Sequence, residues 1–160
     1  ETVRRSMQTE NQNIGKPGAA GFLALCPVHL VKDKLREAGL RPTRQRVALG
    51  WLLFGKGNRH ITAERLFDEA NAARVNLSLA TVYNTLHQFT GAGLLREIAV
   101  DGARTWFDTN TAPHHHFLIE DDNELVDIPG DMVDVTRLPP LPEGMEFVDV
   151  DVVVRIRRKG

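Results

Sequence analysis

Residues 111–120, "TAPHHHFLIE", place His114, His115 and His116 in a row at the mouth of an apolar run. A neutral imidazole nitrogen is a good ligand for a divalent metal, and the ring titrates near neutrality. On a strand, successive side chains alternate between faces. His114 and His116 therefore share one face, about 7 Å apart in Cα, while His115 points away. Two imidazoles on one face chelate an ion once further ligands arrive from elsewhere. His60, Asp108 and Asp127 are the candidates, in "RHITAE", "WFDTN" and "LVDIP". Each has an ordinary use as well: His60 as a polar residue at a helix start, Asp108 as a cap at a strand end.

The single cysteine, Cys26, lies in "LCPVHL". A Cys-Pro dipeptide is a haem-binding signal. The thiolate ligates ferric haem, and proline removes an N–H and stiffens the approach. His29 is a candidate second axial ligand. The plain alternatives are a small buried hydrophobe for Cys26 and a helix-start residue for His29. One cysteine excludes a disulfide framework and any all-cysteine zinc site, and points to a reducing cytoplasm. With Glu1 as first residue, a trimmed start is expected, and no signal peptide opens the chain.

These residues need elements to hold them. At 160 residues, with 42% hydrophobic and 26% charged, the chain has room for one domain or two small ones. No apolar run approaches the ~18 residues of a membrane helix, so no membrane partner is expected. Net charge runs +2 over residues 1–38, +3 over 39–110 and −6 over 111–160, a basic front that suits a polyanion and an acidic rear.

Residues 1–25 read as a flexible arm. Four helices follow: "VHLVKDKLREAGL" with Leu30, Leu35 and Ala38 on one stripe, "RPTRQRVALGWLLFG" capped by Thr43, "ITAERLFDEANAARV" capped by Thr62, and "SLATVYNTLHQFTGAGLL" opened by Ser78. "LLREIAV" and "ARTWFD" form a hairpin across Asp101-Gly102. "HHHFLIE", "ELVDIP" and "EFVDVDVVVRIRR" are strands of a second unit. The fold class is α+β: a winged helix-turn-helix domain over residues 26–110 and a small α/β domain over residues 111–160.

In a helix-turn-helix the second helix enters the major groove. Here Ser78 and Thr81 offer hydroxyls to phosphates, Tyr83 reaches a thymine methyl, and Asn84 suits adenine. Arg41, Arg44 and Arg46 stand just upstream. A solvated polar face on a core helix is the rival reading, and the adjoining helix and hairpin favour DNA. His87 reads as an ordinary helix residue.

The segments "LRPTRQRVALGWLL", "ITAERLFDEA", "SLATVYNTLHQFTGAGLL" and "TWFDTNTAPHHHFLI" resemble the ferric uptake regulator superfamily of metal-sensing repressors, above all its haem-responsive branch, the iron response regulators. The resemblance spans about residues 30–158. It implies a winged-helix DNA reader with a dimerisation domain. Arg41 falls where a basic residue enters the minor groove, and Tyr83 where a tyrosine contacts a base. Asn84 departs from a frequent arginine. The family's ligand set of His, Asp, His-x-His and Asp falls on His60, Asp108, His114, His116 and Asp127, for iron, manganese or zinc. A second, structural zinc is not expected, because the cysteines of its first pair would fall at Ile119 and Asp122.

The resemblance further implies a homodimer on an operator in double-stranded DNA, repression of haem-synthesis and iron-storage genes when iron is scarce, and inactivation by haem. Haem would sit on Cys26, His29 and the His114–His115–His116 cluster, with ferrochelatase as haem donor. No enzymatic activity is expected. The rival functions are a metal-dependent hydrolase built on the His/Asp cluster, a DNA-bending protein, and a ferrous or manganese-sensing repressor without a haem response.

Overall fold

The computed structural model describes residues 27–101 and 104–160. Cys26 and the arm therefore lie outside the described residues. Four helices come first: α1 (Pro27–Glu37), α2 (Arg44–Phe54), α3 (Ala63–Ala72) and α4 (Leu79–Gly91). The three expected caps are present. Thr43 accepts a hydrogen bond from the Arg46 N–H, Thr62 from Arg65 and Ser78 from Thr81. Each satisfies one of the N–H groups that a helix start leaves unpaired.

Leu35, Leu49, Leu53, Leu66, Val82, Leu86 and Phe89 fill the core between these helices. The α1 stripe differs from the expected one: Val31 is buried, and Leu30 is 51% exposed. Gly50 explains the choice. A Cβ there would lie 2.7 Å from Val31 Cγ1, so only glycine lets α1 settle on α2 along the Val31–Leu35 line. On α2, Leu53 is fully buried while Trp51 is 42% exposed.

Two three-stranded sheets complete the molecule. The first has the order β1 (His60–Ile61), β3 (Arg104–Asp108), β2 (Arg96–Asp101), all antiparallel. Asp101, expected in the turn, still pairs with Arg104 as the last residue of β2. The second sheet has the order β5 (Glu124–Pro129), β4 (His114–Ile119), β6 (Val153–Ile156), with β6 parallel to β4. The expected strand over residues 146–158 shrinks to these four residues. Asp149 and Asp151 are drawn instead to the Arg96 guanidinium, which pulls the chain out of line before Val153. Between β5 and β6 stands only a 3-10 turn at Gly130–Met132. A small second core of Ile98 and Trp106 from the hairpin with Leu118 and Leu125 joins the two sheets.

Arg59 anchors the short strand β1. Its guanidinium donates to both carboxylate oxygens of Glu69 on α3, at 2.9 and 2.6 Å, and to the Leu52 carbonyl at 3.1 Å. Its backbone exchanges hydrogen bonds with Thr109. Hydrogen bonding from Arg59 is the chief reason that the Glu69 carboxyl lies below its ordinary value. A carboxyl lowered in the folded state adds stability above its unfolded value, and loses that contribution as pH falls through the folded one. Glu69→Gln is expected to destabilise the fold by about 1 to 2 kcal/mol at neutral pH. The gap to wild type should close as thermal melts are taken below the carboxylate range. A gap constant through that acid range would contradict the assignment.

Candidate metal centre and reading face

Strand register brings the candidate ligands together. His60 on β1 lies opposite Asp108 on β3, and His116 on β4 lies opposite Asp127 on β5. Alternation along β4 turns His114, His116 and Leu118 inward, so the strand carries two imidazoles at its start and core leucine further on. The five side chains offer ligand atoms that all lie within 4.8 Å of one another. Asp108 Oδ2 has three imidazole Nε2 atoms around it: His114 at 2.8 Å, His116 at 3.1 Å and His60 at 3.1 Å. Asp127 Oδ1 closes the other side, 2.8 Å from His60 Nε2 and 3.3 Å from His114 Nε2.

The proton inventory shows what this arrangement lacks. His114 Nδ1 lies 2.6 Å from the Ala112 carbonyl, which only accepts, so Nδ1 carries a proton. A neutral His114 then points a bare Nε2 lone pair at Asp108. One carboxylate oxygen has two lone-pair directions, too few for three donating imidazoles. His60 Nε2 is buried and, although close to both carboxylates, has no hydrogen bond of good geometry; nor does His116 Nδ1. A cation among the five donors resolves the conflict.

The charges agree. Burial would raise the Asp108 carboxyl, but His116, His60 and the Asn110 N–H outweigh it and hold the group well below the carboxylate range. Burial would lower His60, and Asp108 and Asp127 outweigh that, raising it. Three imidazole nitrogens and two carboxylate oxygens suit iron, manganese or zinc. The donors close around an ion-sized gap, and Asp108, His114 and His116 are buried. His115 is on the other face of β4, where its Nδ1 accepts from the Val152 N–H and holds the approach to β6. His29, the haem candidate on α1, is exposed in the first turn of that helix.

The candidate reading face lies on α4. Thr81, Asn84, Thr85 and Gln88 line a polar groove with Thr43, Gln45 and Arg46 of α2. Tyr83 flanks it, its hydroxyl donating to Glu64 Oε1 at 2.6 Å and its ring stacked on His87 at 6.4 Å. The hydroxyls of Ser78 and Thr81 are 2.9 Å apart, and Ser78 also caps the helix, so both are partly committed before any phosphate arrives. Arg46 is tied to Gln88 and to the Arg41 carbonyl, whereas the Arg41 and Arg44 side chains are exposed and form no hydrogen bond among the described residues. Sequence reasoning missed Glu64 and Gln88. Gln88 sits one turn beyond Asn84 and was within reach of a helical-face argument; the Glu64 contact crosses two helices and leaves no local signal. His87, read as an ordinary helix residue, packs on the Tyr83 ring.

Comparison with known proteins agrees with this geometry. The family model described as the ferric uptake regulator family matches residues 37–154. A ferric uptake regulation protein of Pseudomonas aeruginosa is 32% identical over 129 residues, which cover 79% of this chain and 96% of that one. A peroxide-responsive repressor of Staphylococcus aureus is 34% identical over 93 residues, covering 58% and 62%. Among solved structures, the ferric uptake regulator from Pseudomonas aeruginosa with manganese superposes with a TM-score of 0.62 at 28% identity, covering 82% of this chain and 99% of that one. The regulator from Francisella tularensis with iron shares the fold at a TM-score of 0.61 and 21% identity, covering 76% and 93%. With most of its length matched at the level of family, sequence and fold, the chain belongs to the ferric uptake regulator family.

Proposed function

We propose that this protein is a repressor whose grip on operator DNA is set by a divalent metal at His60, Asp108, His114, His116 and Asp127. The observation that carries this reading is where the five donors come from. His60 immediately precedes α3, which packs on the reading helix, and Asp108 closes the wing. His114, His116 and Asp127 belong to the other sheet. An ion that needs all five favours the arrangement in which they converge, and shifts the equilibrium by its difference in affinity between arrangements. Arg96, bonded to Asp149 and Asp151, and Arg155, bonded to the Val100 carbonyl, tie the wing to the C-terminal segment. Five protein donors fill the coordination shell, whereas a hydrolase keeps a position open for water, which favours a sensor over the hydrolase reading.

The protein acts as a homodimer. Phe147, Val148, Val154 and Ile156 are all exposed around β6, and Val148 is 87% so. An apolar surface of this kind beside a sheet edge calls for a second copy. Paired reading helices then meet an operator with repeated half-sites.

The metal reading is tested by titrating Mn2+ into protein stripped of metal and by following DNA binding on duplexes selected from a random library. Wild type should bind the ion and gain DNA affinity with it. His116→Ala, and separately the exposed Asp127→Asn, should weaken ion binding on the order of 100-fold and remove the gain. Metal-independent DNA binding by wild type would overturn the reading.

Tyr83→Ala should cut affinity for selected DNA far more than for random DNA. Arg41→Ala should weaken both, and lower the salt slope by about 1. Equal losses on both DNAs for Tyr83→Ala would remove that residue from base reading.

A finer reading adds haem as the releasing signal, with haem-synthesis and iron-storage genes as targets. It rests on Cys26-Pro27, whose proline opens α1, and on exposed His29 nearby. On titration with ferric haem, wild type should show a thiolate-ligated absorbance spectrum and release DNA, and Cys26→Ala should do neither. An identical spectrum and identical release for Cys26→Ala would place any haem response elsewhere.

A further inference from the structure

We propose that Arg44 and Arg74 form a clamp for a phosphate of the DNA backbone, beside the turn that leads into the reading helix. The proposal rests on the DNA-reading function above and adds a contact outside α4.

The first observation is a backbone conformation that its residue does not suit. Three helices end in the same motif. After α1, the Gly39 N–H bonds the Arg36 carbonyl and the Leu40 N–H bonds Leu35, with Gly39 at φ 76°. After α4, Gly93 bonds Thr90 and Leu94 bonds Phe89, with Gly93 at φ 77°. After α3, Arg74 bonds Asn71 and Val75 bonds Ala70, with Arg74 at φ 58°. This left-handed position strongly favours glycine, since a Cβ crowds the following carbonyl. The chain places glycine there twice and arginine once. Local stability does not call for that arginine.

Nor does the arginine serve the fold through its side chain. The Arg74 side chain is exposed and makes no hydrogen bond or ion pair among the described residues. Arg44 is in the same condition, at the first residue of α2, where an acidic side chain would suit the helix dipole better. Both line one surface cavity of about 370 Å³, together with Gln45 and Asn76. Two guanidinium groups and two amides offer only N–H donors and amide oxygens, and the matching ligand is an oxyanion.

Placement identifies that oxyanion. Gln45 also borders the polar groove formed with Thr81, Asn84 and Gln88 of α4, so the cavity and the reading face are continuous. The turn of residues 75–77 forms its floor and runs straight into the Ser78 cap. With α4 in the major groove, the bordering strand of the duplex is the polyanion next to it, and phosphate contacts of this kind fix register while carrying no sequence information.

Arg74→Gly separates the clamp from the fold, because glycine relieves the backbone. The variant should melt at or above the wild-type temperature. It should bind a selected duplex and a random duplex of equal length more weakly by the same factor, roughly three- to tenfold, with a salt slope shallower by about 1. Adding Arg44→Ala should shallow the slope by about 2 in total. Arg44→Ala alone, which leaves the α3 motif untouched, should act like Arg74→Gly and serves as the independent check on folding. If Arg74→Gly and Arg44→Ala both bind with wild-type affinity and slope, the clamp is overturned while metal-dependent DNA binding stands. A loss confined to the selected duplex overturns it too, by making these residues base readers. Absence of DNA binding by wild type would sink both the clamp and the reading it rests on.

Discussion

Everything at the junction of the two sheets turns on one buried carboxylate oxygen. Asp108 Oδ2 faces three imidazole nitrogens within 3.1 Å, inside a protein, where charge is poorly solvated. Three imidazole nitrogens around one carboxylate oxygen compete for its two acceptor directions. Burying such a group without compensation is costly. A cation among the five donors would supply that compensation, and because the donors come from four different strands the charge balance of one atom and the relative placement of the two sheets would become a single condition.

The rest of the molecule works to make that condition reachable. The two-residue strand β1 has little pairing of its own, and Arg59 holds it by gripping Glu69, the Leu52 carbonyl and Thr109. Cross-strand register does the remainder, setting His60 against Asp108 and His116 against Asp127. Because His60 lies three residues before α3, and α3 packs on α4, the placement of one imidazole reaches the reading helix through very little chain.

Much of this was legible in the residues themselves. Thr43, Thr62 and Ser78 announced their helices, since a short polar side chain before an apolar period has few other uses. Alternation at His114 and His116 was equally plain. The convergence of His60 and Asp127 on them was less so, because it depends on pairing partners far apart in sequence: the residues made them candidates, and resemblance to a family singled them out as a set. Strand β1 escaped notice because two residues carry no alternation. The choice of Val31 over Leu30 depended on Gly50, a residue on another helix. The β6 strand was overread because its Val-rich pattern says nothing of the pull of Arg96 on Asp149 and Asp151.

The small core shared by Ile98, Trp106, Leu118 and Leu125 sets how this protein moves. Trp106 is almost wholly enclosed, at 2% exposed, so a hinge that swung the wing away from the second sheet would wet an indole and several aliphatic chains. The inexpensive motion is shear: side chains sliding past one another while the interface stays closed. Shear of packed side chains is small in amplitude. For the DNA-reading dimer proposed above that is enough, since a displacement of an ångström or two at the pivot already spoils the phase between two reading helices.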